Sequence, residues 1–248
     1  MTSSFPGATG LTVLDVYDWV APDGLRGGSA HVHLASAEGY LVLSGAGELQ
    51  TLGTRGYAAT PLRPGDCVWF TPGTIHRLVN EGGLRLAIVM QNAGLPEHGD
   101  AVLTFPPAIL ADQEAYARAA AVGEEPAGRV LAERARRRAS LAVEGYLALR
   151  DAVAAHGPGA LEDFFAAALR LTATQVPDWR ERWRAGALAT AGQTGTHLDE
   201  IAAIVPGHLA DAGLWRIDSP MSVAPDTRGY GMCGRLTTYP DSSATRLL

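Results

Sequence analysis

Two different hydrophobic periods divide this chain. From about residue 11 to residue 91, apolar residues come in short runs. Several alternate with polar residues at every second position, and Gly, Pro and Asp separate the runs. A period of two belongs to strands with one face buried. The runs predict strands at 11–17, 29–34, 40–43, 48–52, 56–60, 67–70, 77–80 and 84–91. Eight short strands punctuated by turn residues form an all-β pattern. Residues 92–107, rich in Gly and Pro, read as a linker.

From about 108 to 212 the chain becomes Ala-rich and its apolar residues recur at helical spacing. The strongest predicted helix spans 126–156. Pro126 suits a first helical turn, and Gly157-Pro158 stops the helix. Leu131, Ala135, Ala142, Tyr146, Leu149 and Val153 define its buried stripe. Further helices are expected at 160–175, 177–189 and 196–205. Strand-like character returns after Leu214, with 234–239 placed to join the sheet edge or to cross to a second subunit. Residues 242–248 read as loosely held. The expected organisation is a β-barrel domain over 1–106 and a mainly helical region over 107–248 that ends in an extended segment.

Composition narrows the chemistry. The 248 residues contain no lysine, so every basic side chain is Arg. That excludes a lysine Schiff base, a lysine-bound pyridoxal cofactor and a Walker-type phosphate loop. Neither a GxSxG elbow nor a GxGxxG fingerprint occurs. Net charge is -6 and the pI about 5.6, which argues against a nucleic-acid partner. The run Arg134-Ala-Arg-Arg-Arg138 reads as a solvated helix flank, because residues 108–212 carry fourteen acids against eleven bases. No apolar run is long enough for a bilayer, and 1–7 lacks a signal-peptide pattern, so a cytoplasmic location is expected. Cys67 and Cys233 form no CxxC pair, and Cys67, in an apolar strand, reads as a buried inert thiol.

The chemically informative residues are His31, His33, Glu38 and His76. Imidazole and carboxylate are the usual nitrogen and oxygen ligands of divalent transition metals. In a strand, residues i and i+2 share a face, so His31 and His33 can reach one ion; a helix would separate them by about 200°. Glu38 opens the following strand, and Pro72-Gly73 makes a tight turn before His76. His98, His156, His197 and His208 have no partner at ligand spacing and read as surface or helix-end residues.

These segments resemble the two motifs of the cupin superfamily, G(X)5HXH(X)3,4E(X)6G and G(X)5PXG(X)2H(X)3N. His31, His33, Glu38 and Gly45 fit the first, and Gly65, Gly73, His76 and Asn80 the second. Leu25 stands at the opening Gly of the first motif and Thr71 at the Pro of the second. Both departures concern turns rather than ligands. The resemblance covers about the first hundred residues. It implies a double-stranded β-helix barrel with one divalent metal (Fe, Mn, Ni, Cu or Zn) on His31, His33, Glu38 and His76.

Four protein ligands on a six-coordinate ion leave two open positions, which suits catalysis rather than a closed structural site. Tyr40 shares the strand face of Glu38 and is the candidate catalytic donor or proton carrier, against a rival role as core filler. One of Trp69 and Phe70 should line the cavity and the other face outward. The expected function is a metal-dependent, dioxygenase-type oxidoreductase acting on a small oxygenated compound. A metal-assisted sugar isomerase or epimerase, and a non-catalytic small-molecule-binding sensor, are the alternatives. A homodimer with a small-molecule ligand and no nucleic-acid or membrane partner is expected.

Overall fold

Alternation in the first hundred residues builds an antiparallel β core. The computed structural model describes residues 4–123, 129–218 and 228–247. The core strands are β1 (Gly10–Val16), β2 (His31–His33), β3 (Glu38–Gly53), β4 (Gly56–Leu62), β5 (Cys67–Phe70), β6 (Ile75–Met90) and β7 (Ala101–Leu103). Near the C-terminus come β8 (Trp215–Arg216), β9 (Gly229–Tyr230), β10 (Gly234–Thr238) and β11 (Thr245–Arg246). The main path runs β4-β3-β6-β1-β10-β9, with β5 added to β3 and β2 lying between β6 and β7. The result is a jelly-roll sandwich. Among the described residues its ladder does not close into a complete ring, so the expected barrel is an open one.

Two pairs of expected strands are continuous. Segments 40–43 and 48–52 are one strand, β3, and 77–80 and 84–91 merge into β6. Register shifts between Val42 and Gly47 bend the paired ribbon, so that one long hairpin serves both layers. Gly45 stands at the bend with φ +78°, and a Cβ there would lie 2.2 Å from the Gly83 carbonyl. Only glycine fits both constraints. The expected linker also differs: it carries β7, which pairs with β2 in register His31↔Leu103, Val32↔Val102 and His33↔Ala101.

The helices follow: α1 (Pro107–Leu110), α2 (Gln113–Ala120), α3 (Arg129–His156), α4 (Glu162–Thr172), α5 (Val176–Trp183) and α6 (Ala189–Ala202), with a π-helical turn over Arg184–Leu188 joining the last two. Pro126 lies outside the described residues. The predicted stripe of α3 is buried, Leu149 only partly. It packs behind the histidine strand, where Val32, Val102 and Phe105 meet Ala142, Tyr146 and Phe164 in one apolar cluster. Gly145 permits that approach, since a Cβ on it would sit 2.0 Å from the Thr104 carbonyl oxygen. The Thr104 hydroxyl reaches the carbonyls of Ala30 (3.1 Å) and Ala142 (2.7 Å), tying strand to helix.

Three expectations are corrected. Residues 245–246 are not loose, because β11 pairs with β8. Arg138 is no solvated flank: it is buried and donates to the carbonyl of Gly231. Cys67 is exposed and Cys233 is the buried thiol, because β5 turns its Cys67/Trp69 face outward. Strand β10 joins β1 of its own core, from Thr12↔Thr238 to Val16↔Gly234. Among the described residues no helix is long and apolar enough to cross a membrane.

Candidate metal centre

Strand pairing assembles the four predicted ligands. β2 puts His31 and His33 on one face and Val32 on the other, against the helices. His76 of β6 lies directly opposite His31. Glu38, the first residue of β3, is held between Phe70 of β5 and Met90 of β6. One potential ligand atom from each of the four residues falls within 4.8 Å of all the others, and all four residues are buried. They form a potential metal site.

Hydrogen bonding aims the rings. Nδ1 of His31 lies 3.2 Å from the Ser29 carbonyl oxygen, and Nδ1 of His76 lies 3.1 Å from that of Thr74. A carbonyl only accepts, so both Nδ1 atoms carry the proton and both Nε2 lone pairs are left for the site. Nδ1 of His33 faces Oδ2 of Asp100 at 3.4 Å. Glu38 Oε2 lies 3.1 Å from His76 Nε2 and 3.5 Å from His33 Nε2. Yet His76 Nε2 and Glu38 Oε2 are buried without completing a hydrogen bond. A lone pair facing a carboxylate oxygen in a buried site is unfavourable unless a cation lies between them. The donor set therefore fits a divalent metal.

The electrostatics agree with a site built around positive charge. Burial, then the neighbouring His76 and His33, push the His31 pKa well below its ordinary value. Burial also disfavours charge on His33, but the facing carboxylates of Asp100 and Glu38 prevail and raise its pKa to about 9. For Glu38, burial is outweighed by the imidazoles of His33 and His76, which hold its carboxyl far below the usual carboxylate range.

Tyr40 is buried beside this cluster. Burial and the adjacent Glu38 carboxylate push its pKa well above the ordinary tyrosine value. Phe70 packs on His76 with ring centroids 4.3 Å apart, and Trp69 is 76% exposed. Phe70 is thus the inward member of that pair and Trp69 the outward one. His98, His156, His197 and His208 stand apart from the site; His197 and His208 stack on each other at 4.2 Å, and His208 bonds Glu200.

Two residues near the site escaped the sequence reading. Cys233 brings Sγ to 3.9 Å from Nδ1 of His31 and 3.4 Å from the Ser29 carbonyl. Asp100 approaches His33 from the stretch read as a linker. The only local signal for it was an acid directly preceding the apolar triplet Ala101-Val-Leu103.

Residues 19–90 match a family model described as Cupin domain. No curated protein sequence matches the chain. Solved structures similar to it include an uncharacterized conserved protein with a double-stranded beta-helix domain from Klebsiella pneumoniae (21% identity, 34% of this chain and 66% of that one, TM-score 0.28). A predicted oxalate decarboxylase from Thermotoga maritima is 21% identical over 34% of this chain and 64% of that one, with TM-score 0.26. A variant of Streptomyces PAC13 with uridine is 17% identical over 36% and 63%, with TM-score 0.28. The matched segment spans 66% or less of each of these structures.

Proposed function

Because residues 19–90 match the Cupin domain family model, we propose that His31, His33, Glu38 and His76 hold one divalent transition metal in a metal-dependent oxidoreductase of the dioxygenase type, acting on a small oxygenated organic compound. The observation that carries this reading is the convergence of three imidazoles and one carboxylate within 4.8 Å. Bound there, Fe, Mn, Ni or Cu supplies Lewis acidity and, where redox-active, electrons.

The chain's own residues do the rest. Tyr40 lies beside the Glu38 carboxylate, and its raised pKa keeps the hydroxyl protonated as a donor at neutral pH. Phe70 covers His76 and excludes water, which strengthens the field of any charge held in the site. The burial of all four ligands restricts the reacting partner to a small molecule.

That same burial favours a second reading, a metal-containing small-molecule-binding module without turnover. Elemental analysis of protein purified without added metal tests the metal. Oxygen uptake with catechols, flavonols, keto acids and thiols, run separately with Fe, Mn, Ni and Cu, tests the chemistry. Uptake with one metal and one compound class supports the oxidoreductase; metal without uptake favours the binding module.

For the quaternary state we favour a homodimer through the outer face of the sheet. Exposed Leu41, Leu43, Trp69 and Val89 lie on paired strands there, with Cys67 and Ala87 flanking Leu41. An apolar patch of this kind on a soluble face marks an interaction site.

A further inference from the structure

Asp100 is fully buried and belongs to neither a ligand-bearing strand nor a helix. Its Oδ1 accepts the backbone N–H groups of Leu34 (3.0 Å) and Ala35 (2.7 Å), just past β2. Its Oδ2 faces Nδ1 of His33 at 3.4 Å. The segment carrying it is in turn held by the helical region. Trp179 of α5 is buried and donates its indole N–H to the His98 carbonyl at 2.7 Å. His31 and His76 are oriented by carbonyls two residues away on their own segments. His33 Nδ1 has no such carbonyl: it and Asp100 Oδ2 are both buried without completing a hydrogen bond, and each has the other as its neighbour at 3.4 Å.

We propose that Asp100 is a positioning residue for the metal ligand His33, and that α5, through Trp179, holds Asp100 in place so that the helical region sets the metal affinity of the site. The inference rests on the metal-binding reading above. A neutral imidazole donates from one nitrogen and ligates with the other. An acceptor at Nδ1 keeps a proton on that nitrogen, so that Nε2 is the atom offered to a metal ion held between His33 and Glu38. A carboxylate in that role also makes the ring a stronger ligand. Asp100→Asn is informative because it separates two roles of one side chain. The amide oxygen stays on Leu34 and Ala35, since a flip would lose both bonds. The amide N–H groups then face Nδ1, and the ring must move its proton to Nε2, where it blocks ligation.

The test is a zinc titration against a chromophoric chelator, with circular dichroism to monitor folding. Wild-type protein should bind one equivalent. Asp100→Asn should bind about 10–100-fold more weakly, and Trp179→Phe, which removes one N–H donor, should weaken binding in the same direction. In zinc-loaded, 15N-histidine-labelled protein, the His33 Nδ1–H signal should be present in the wild type and absent in Asp100→Asn. Unchanged affinity with that signal retained in Asp100→Asn overturns the role of Asp100. Unchanged affinity in Trp179→Phe overturns the role of α5, and this variant also carries the test if Asp100→Asn does not fold. A wild-type protein that binds no zinc or other divalent metal overturns the metal reading itself, a distinct result.

Discussion

His31 and His76 face each other in register across β2 and β6, with ring centroids 4.1 Å apart. The ligand set therefore depends on correct strand pairing, and metal binding should report on the fold. Wild-type protein should gain thermal stability with added metal, by about 2.7 kcal/mol at a hundredfold excess over Kd. His76→Ala should show no such gain while retaining its far-ultraviolet spectrum. A metal-dependent shift of equal size in the variant would remove His76 from the ligand set.

Arg77 lies beside His76 in β6, is fully buried, and makes two bonds to Asp23, at 2.6 and 3.1 Å. Replacing Asp23 by Asn leaves the guanidinium without its counter-charge and should destabilise the fold by about 3 kcal/mol, read from the urea midpoint. Burial would raise the Asp23 pKa, but its hydrogen bond and attraction to Arg77 prevail and lower it. A carboxyl with a lower pKa in the folded state stabilises above its unfolded value, about 3.9, and loses that contribution as pH falls through the folded value. Wild-type stability should therefore fall below about pH 4, and Asp23→Asn should flatten part of that decline.

Tyr40→Phe removes a hydroxyl and no ligand. With a turned-over substrate in hand, kcat should fall by about 100-fold, within the range for a lost proton donor. Metal content should stay at the wild-type level. Loss of metal with unchanged kcat per bound ion would reassign Tyr40 to holding Glu38 alone.

Gly145→Ala should push α3 away from the Thr104 carbonyl. Overpacking of this kind costs about 1–3 kcal/mol. Differential scanning calorimetry should show a lowered midpoint, and amide exchange should quicken at Thr104 and Phe105 before it does in β4.

Leu41→Glu places a charge at the centre of the outer apolar face. Light scattering should find the wild type dimeric and this variant monomeric, with the thiol of exposed Cys67 more reactive in the variant. A monomeric wild type would leave the face to another partner.

Much of this was legible in the residues. The period of two located the β core, and the HxH spacing with Glu38 and His76 located the ligands, because strand geometry maps sequence spacing onto a face. The stripe of α3 was legible for the same reason at helical period. Hydrophobic period does not encode pairing between distant segments. β7 is three residues long, too short to show alternation, so residues 92–107 looked like linker and Asp100 went unread. Cys233 reaches the site only because β10 pairs with β1, and Cys67 was misplaced because an outward apolar face has the same composition as an inward one. Arg138 looked solvated because charge alone does not show which carbonyls will come to meet it.

The β1–β10 pairing joins residues such as Thr12 and Thr238. A ribosome adding about 5–20 residues per second needs on the order of tens of seconds to travel from one to the other. From the moment His76 has emerged until residue 238 does, the nascent core has its three histidine ligands and Glu38 but lacks β10, and β1 shows a bare edge. Premature zinc or copper capture and edge-to-edge association are both open to it then. A chaperone over the β1 edge and a low free-metal pool during synthesis would therefore favour the yield of this protein.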